Sequence, residues 1–277
     1  MITSTLRRLT ADDAPSLAAL LDEDRLQNVY LRSELRLAGL ATGQWWGIDG
    51  ARPGELRAAL LGGPLVVPWV PDADDVERLA EALSRQQAPR MLVGPRAQVL
   101  ALHQARRPAP PLRELRDPQP LLRLERHRTA ARHGSGNVRV RRGTLDDLDR
   151  LTVAAADMHR EEMGVDPLAI DPAGWRTRMS TLIQRGWSWV WTEHDEVVFK
   201  AELSAWTPDA VQIQGVYTAP RHRNRGIATA AMAAVCDAVL DDVPACTLYV
   251  NHYNAAARRV YDRLGFEQVA SLATLMY

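Results

Sequence analysis

The chain has 277 residues, 46% of them hydrophobic, enough for one large domain or two ordinary ones with real cores. Its 34 basic and 34 acidic side chains cancel, so no global field draws it to polyanions or membranes, and a dedicated nucleic-acid or membrane-binding role is disfavoured. The opening MITSTLRRLTADDAPSL has no apolar signal core and no apolar run approaches bilayer length, which reads as a cytoplasmic protein. Cys236 and Cys246 supply neither a disulfide framework nor metal-ligand spacing.

In chain order, LRRLTADDAPSLAALLDED (6–24) is a short basic strand, a Thr/Asp cap and a helix carrying Leu17, Leu20 and Leu21 at helical spacing. The strand PLVVPWV is followed by PDADDVERLAEAL, where Asp72, Asp74 and Asp75 stand at a helix start. PRMLVGPRAQVLALHQARR then reads as strand, break at Gly94-Pro95, and helix. PAPP (108–111) and the strand PLLRLER close the first half, and RHRTAARHGSGN is a connection. The boundary therefore falls at 126–137, between a first domain at 1–125 and a second at 138–277. The basic residues Arg126, His127, Arg128, Arg132 and His133 read as a solvated linker.

The second half repeats the plan. VRVRRGTLDDLDRLTVAAADM (138–158) again gives basic strand, Thr/Asp cap and helix, with Leu148, Leu151 and Ala155 on the apolar stripe. A strand at 138–142 is followed by helices at 145–157 and 171–185. Strands at 187–193, 196–205 and 210–218 come next, then a helix at 226–240. A strand at 245–251, a helix at 254–264 and a closing strand at 266–277 complete the half. This order implies an α/β (α+β) fold in each half, a mixed and mostly antiparallel sheet flanked by helices. GWSWVWTEHDE sets Trp187, Trp189 and Trp191 on one strand face, an arrangement that favours packing over substrate contact.

The loop PRHRNRGIAT (220–229) gathers three arginines and a histidine around Gly226, between a strand and an alanine-rich helix. A helix start exposes unpaired N–H groups and the positive end of the macrodipole, and Gly226 with Ala228 lets an anion approach the backbone. Arg223-Asn224-Arg225-Gly226-Ile227-Ala228 matches the [Arg/Gln]-x-x-Gly-x-[Gly/Ala] signature, preceded by Val216-Tyr217-Thr218-Ala219-Pro220. Downstream, NHYNAAARRVYDRLGF carries Asn254-x-x-Ala257-x-x-x-Tyr261 and then Gly-Phe. Over 138–277 the sequence thus resembles the GNAT superfamily of acyl-CoA-dependent N-acyltransferases, in the bacterial two-domain arrangement.

The resemblance implies acetyl-CoA as co-substrate and no metal. Backbone groups of Val216, Tyr217 and Thr218 would pair with the pantetheine arm. The N–H groups of Arg223, Asn224, Arg225, Gly226, Ile227, Ala228 and Thr229 would hold the pyrophosphate. Asn254 would touch the pantetheine end, and Ala257 would leave it room. Direct attack by an acceptor amine then requires a proton donor to the leaving thiolate, a role that falls to Tyr261, and N–H groups near Val216 and Tyr217 to polarise the carbonyl.

The base is less determined, because the central strand offers Gln212 and Gln214 where many relatives carry a carboxylate or histidine. On the preceding strand Lys200, Glu202 and Ser204 alternate with Phe199, Ala201 and Leu203, and a hairpin would bring Glu202 beside Gln212 or Gln214. Glu202 is the first choice as base, set evenly against an ion pair with Lys200 or an arginine. Glu161, Glu162 and Asp166 in HREEMGVDP (159–167), read as the connection between two helices, are the second choice. Lys200 is the only lysine, which fits GC-rich coding.

The first half has acids where the second has its arginine loop, so it is expected to be a degenerate copy that packs on the active half and binds no cofactor. The resulting expectation is an acetyl-CoA-dependent N-acetyltransferase acting on an amine, with a non-catalytic acyl-CoA-binding regulator as the alternative. Small amine, antibiotic amine, peptide N-terminus and protein lysine stay open as acceptors, as does a homodimer.

Overall fold

The computed structural model describes residues 6–41, 44–84, 89–126 and 138–277. Of the expected linker, positions 127–137, with His127, Arg128, Arg132 and His133, lie outside the described residues. The first half forms β1 (Leu6–Arg8), α1 (Ala14–Leu21), α2 (Val29–Ala38), β2 (Trp45–Asp49), β3 (Leu56–Leu61), β4 (Leu65–Trp69), α3 (Val76–Ser84), β5 (Met91–Pro95), α4 (Arg96–Ala105) and β6 (Glu114–Glu125). The second half forms β7 (Arg141–Arg142), α5 (Leu148–Met163), α6 (Pro167–Ile170), α7 (Pro172–Gln184), β8 (Ser188–Glu193) and β9 (Glu196–Trp206). It continues with β10 (Val211–Thr218), α8 (Ile227–Leu240), β11 (Ala245–Tyr249), α9 (Ala255–Leu264) and β12 (Glu267–Met276).

Contacts gather these elements into two compact units. The first comprises Met1–Leu122 with Tyr249–Ala255 and Gln268–Tyr277, and the second Arg123–Leu248 with Ala256–Glu267. The first unit's sheet runs β1-β2-β3-β4-β5-β12-β6, so a strand from the chain's last residues lies beside β5, antiparallel, from Leu272 opposite Pro95 to Met276 opposite Met91. The second unit's sheet runs β11-β10-β9-β8-β7. Apart from β4 with β5 and β10 with β11, which are parallel, the registered pairs in both sheets are antiparallel.

Strand alternation decides which side chains enter which core. In β3, Ala58 and Leu60 join Leu79 and Leu83 of α3 and Val99 and Leu102 of α4, while Ala59 and Leu61 join Leu17, Leu20 and Leu21 of α1. Helices thus cover both faces of the first sheet. In the second unit Trp187, Trp189 and Trp191 are all buried, together with Val190 on the opposite face of β8.

The repeat read from the sequence is built the same way twice. Thr10 and Thr144 both have extended backbone at φ −115°, and their N–H groups donate to Asp13 (2.7 Å) and Asp147 (2.9 Å). Arg7 donates twice to Asp13 (2.7 and 2.8 Å), and Arg141 twice to Asp147 (2.6 and 2.8 Å). The next arginine lies over a tryptophan of the neighbouring strand, Arg8 on Trp46 at 5.2 Å and Arg142 on Trp189 at 5.3 Å. The hydrogen bonds from Arg141 hold the Asp147 carboxyl down at about 2, and those from Arg7 hold Asp13 well below the usual carboxylate range.

Two expectations need correction. α5 runs through Met163, so Glu161 and Glu162 sit in its last turn rather than in a connection. No breaker interrupts 159–163, and Gly164, at φ 67°, ends the helix with its N–H on Arg160 O (3.0 Å). Asp166 is the N-cap of α6 and accepts from Leu168 N at 2.9 Å.

Candidate active site

β10 and β11 are paired only at Val211 with Cys246 and Gln212 with Thr247, whereas β10 stays paired with β9 as far as Thr218 opposite Phe199. Beyond Gln212 the two parallel strands therefore part, and β10 turns one backbone edge into the opening. A bulge lies in the same stretch: Gln214 faces Glu202 and Tyr217 faces Lys200, so Gly215 and Val216 together oppose Ala201. Gly215, at φ +60°, supplies the left-handed conformation that this bulge needs.

After β10 the chain enters the arginine loop. Gly226, at φ +76°, is the N-cap of α8, and a Cβ built there meets no atom within 4 Å. Its freedom is therefore not used against the protein's own atoms, and the space beside its backbone is open. Arg223 N already donates to Pro220 O (3.2 Å) and Ala230 N to Gly226 O (3.1 Å), so the open cradle starts at Asn224 and ends at Thr229. Arg223 serves as a strut: Nε donates to Thr218 O (2.9 Å), Nη2 to Glu161 (2.6 Å), and the guanidinium lies 5.6 Å over Tyr217. Arg221 is paired with Glu196. Arg225 meets His222 Nδ1 at 3.2 Å and, among the described residues, no carboxylate, which makes it the loop arginine best placed to meet an outside anion.

Glu202 forms the ion pair weighed as its alternative role. Lys200 Nζ lies 2.6 Å from Oε1, and Arg178 Nη2 3.4 Å from Oε2. Burial raises the carboxyl's proton affinity, but Lys200 and Arg178 outweigh it and hold it below its ordinary value. Lys200 also donates to Gly215 O at 2.9 Å. Gln212 accepts from Ser204 Oγ at 3.0 Å.

Tyr261 on α9 is buried with its ring edge-on to Phe266, centroids 5.6 Å apart. Burial first, then the nearby Cys236 and Glu162, push its hydroxyl far above the ordinary tyrosine value. Ala257, the third residue of α9, is in the same unit; Asn254, whose N–H donates to Asn251 O at 2.9 Å, belongs by its contacts to the first. Val216, Tyr217, Thr218, the 224–229 cradle, Ala257, Tyr261 and Glu162 are therefore all features of the second unit, and Asn254 is not.

Comparison with known proteins gives a family match for part of the chain. The profile of the acetyltransferase (GNAT) family matches residues 156–266. A domain of unknown function, DUF4081, matches 43–151. None of the curated proteins compared matches the sequence. Among solved structures, a GNAT-family acetyltransferase from Colwellia psychrerythraea aligns over 99% of both chains at 11% identity and a TM-score of 0.64. A tandem GNAT protein from the clavulanic acid biosynthesis pathway aligns over 99% of this chain and 98% of its own, at 14% identity and a TM-score of 0.62. A GCN5-related N-acetyltransferase from Sphaerobacter thermophilus aligns over 99% and 95%, at 16% identity and a TM-score of 0.61. At these identities the likeness is one of fold, and it extends over both units.

The first unit repeats this plan of parting parallel strands with its opening filled. β4 and β5 also pair at only two positions, Leu65 with Met91 and Val66 with Leu92. Here Gln98, the third residue of α4 as Ala257 is of α9, accepts from Val70 N at 2.9 Å. The place that α9 gives to Tyr261 is held in α4 by Leu102, in the apolar core. At the start before α3, Asp72 caps Asp74 N (3.0 Å) and buried Asp75 is paired with Arg57. A further difference lies outside the sites: among the described residues no helix is long and apolar enough to cross a membrane.

Proposed function

We propose that the second unit is an acetyl-CoA-dependent N-acetyltransferase acting on an amine in the cytoplasm. The observation that carries this reading is the parting of β10 from β11 directly beside an open, glycine-capped helix start. The edge of β10 past Gln212, at Val216 and Tyr217, suits an extended pantetheine arm as an added strand that ends where Arg223 takes Thr218 O, and the N–H groups of 224–229 with Arg225 suit a pyrophosphate. Ala257 leaves room at α9 where Gln98 of the first unit would not.

The bound thioester supplies an activated acetyl group. A neutral amine attacks its carbonyl carbon; the C–N bond forms, the C–S bond breaks, and one proton passes from nitrogen to sulfur. Val216 N–H stabilises the carbonyl oxygen as it gains charge. Tyr261, kept protonated across the neutral range by burial, donates to the leaving sulfur. We assign the amine proton to Glu162, the carboxylate in the last turn of α5 whose charge reaches Tyr261.

The test is thioester consumption with a panel of amines. Tyr261→Phe should lower kcat by about 10²–10⁴-fold with acetyl-CoA binding retained, and Glu162→Gln should lower kcat with acetyl-CoA binding likewise retained. An unchanged rate in Tyr261→Phe would take that residue out of the mechanism. Tight acetyl-CoA binding with no turnover on any amine would instead make the unit a binding module.

A further inference from the structure

Of the 34 lysine and arginine side chains all but one are arginine, and the exception, Lys200, is among the most completely buried of the described residues. Coding bias accounts for the arginines and leaves this lysine to be explained by its surroundings. A compact ammonium with three donors fits where a planar five-donor fork does not. Lys200 spends two of those donors on Glu202 Oε1 (2.6 Å) and Gly215 O (2.9 Å). Gly215 is packed directly against the pair, since a Cβ there would stand 2.9 Å from Glu202 Oε2 and 3.1 Å from Lys200 Nζ.

The bond to Gly215 O has a geometric consequence. In a trans peptide the carbonyl and the following N–H point in opposite directions from one plane. A carbonyl of residue 215 held toward Lys200 therefore turns the N–H of Val216 away from it. Val216 lies in the bulge, outside the register with β9, and past the last pair with β11. Neither ladder pairs Val216, and the carbonyl that shares its peptide plane is held by Lys200.

We propose that Lys200 is a positioning residue: it fixes the Gly215–Val216 peptide plane so that Val216 N–H meets the thioester carbonyl, while Glu202 supplies the counter-charge that keeps the ammonium buried. The role rests on the acetyl-CoA reading given above, but not on the identity of the acceptor. It also gives Glu202 a task that suits a carboxylate held ionised by Lys200 and Arg178, where a base would need a higher proton affinity.

The experiment is isotope-edited infrared spectroscopy of [1-13C]acetyl-CoA bound to the full chain, with thermal unfolding alongside. In the parent the thioester carbonyl stretch moves to lower frequency on binding. In Lys200→Met acetyl-CoA still binds but the stretch stays near its solution frequency, and the melting temperature falls because Glu202 loses its closest buried counter-ion. In Lys200→Met with Glu202→Gln the melting temperature recovers and the stretch does not; this double variant carries the test if the single one fails to fold. A lowered stretch retained in Lys200→Met, or recovered together with stability in the double variant, overturns the positioning role alone. A parent that does not bind acetyl-CoA overturns the role and the cofactor reading together, whereas binding with a lowered stretch that depends on Lys200 supports the role even if no amine is turned over.

Discussion

Replacing Asp147 by Asn removes a charge that Arg141 grips through two hydrogen bonds, while keeping an acceptor for Thr144 N. The carboxyl stands at about 2 in the fold against the usual 3.8, a difference worth about 2.4 kcal/mol at roughly 1.4 kcal/mol per pH unit. Half of the Arg141 side chain is exposed (49%), so solvent screening brings the expected cost to about 1–2 kcal/mol, or a melting shift of about 2–8 °C. The folded value lies below the unfolded one, so the stabilisation is complete well above pH 4 and is lost as pH falls toward 2, with about half gone by pH 3. Urea midpoints of parent and Asp147→Asn at pH 7, 5, 4 and 3 should show a constant gap that narrows only in the last two. The same gap at pH 3 as at pH 7 would refute the ion pair as its source. Asp13→Asn in the first unit removes the twin pair, and the two losses should add.

Calorimetric titration should find one equivalent of acetyl-CoA per chain, because Gln98 fills the first unit's opening and Asp72 to Asp75 oppose a pyrophosphate there; two equivalents would contradict this. Gly226→Ala should abolish or greatly weaken that single binding event, since it strains a residue at φ +76° by about 1–2 kcal/mol and puts a methyl group in the open space of the cradle. Cleavage within 127–137 should leave two pieces that still elute together in size-exclusion chromatography, because β12 of the later piece is hydrogen-bonded to β5 of the earlier one. Pieces that separate without denaturant would count against that pairing.

Much of this was legible because it is local. Thr-x-x-Asp caps, alternation in VVFKAELSAW and the Gly226 helix start each depend on residues within one turn or one strand, and the structure forms them at those positions. The Lys200–Glu202 pair was visible as an i, i+2 neighbour on one strand face. What decides its importance, the bond to Gly215 O, depends on the register between β9 and β10 and on a bulge that only the isolated glycine in VQIQGVYT signalled. Gln98 was silent for a similar reason. Its meaning appears only when α4 and α9 are laid on each other and its side chain is seen to take Val70 N. The end of α5 was misjudged because acidic residues near a turn resemble a loop, although Gly164 marks the true stop.

The position of β12 orders events in time as well as in space. Ala273 and Leu275 are completely buried in the core built by Ile48, Leu60 and Leu92. A ribosome making this chain has therefore finished the whole second half before the first sheet can close. Until then β5 keeps an unsatisfied edge, the kind of surface that pairs with other chains. β12 is the lock of a unit whose other strands are made long before it, so damage near residue 275 should be felt first in the unit that carries no proposed chemistry.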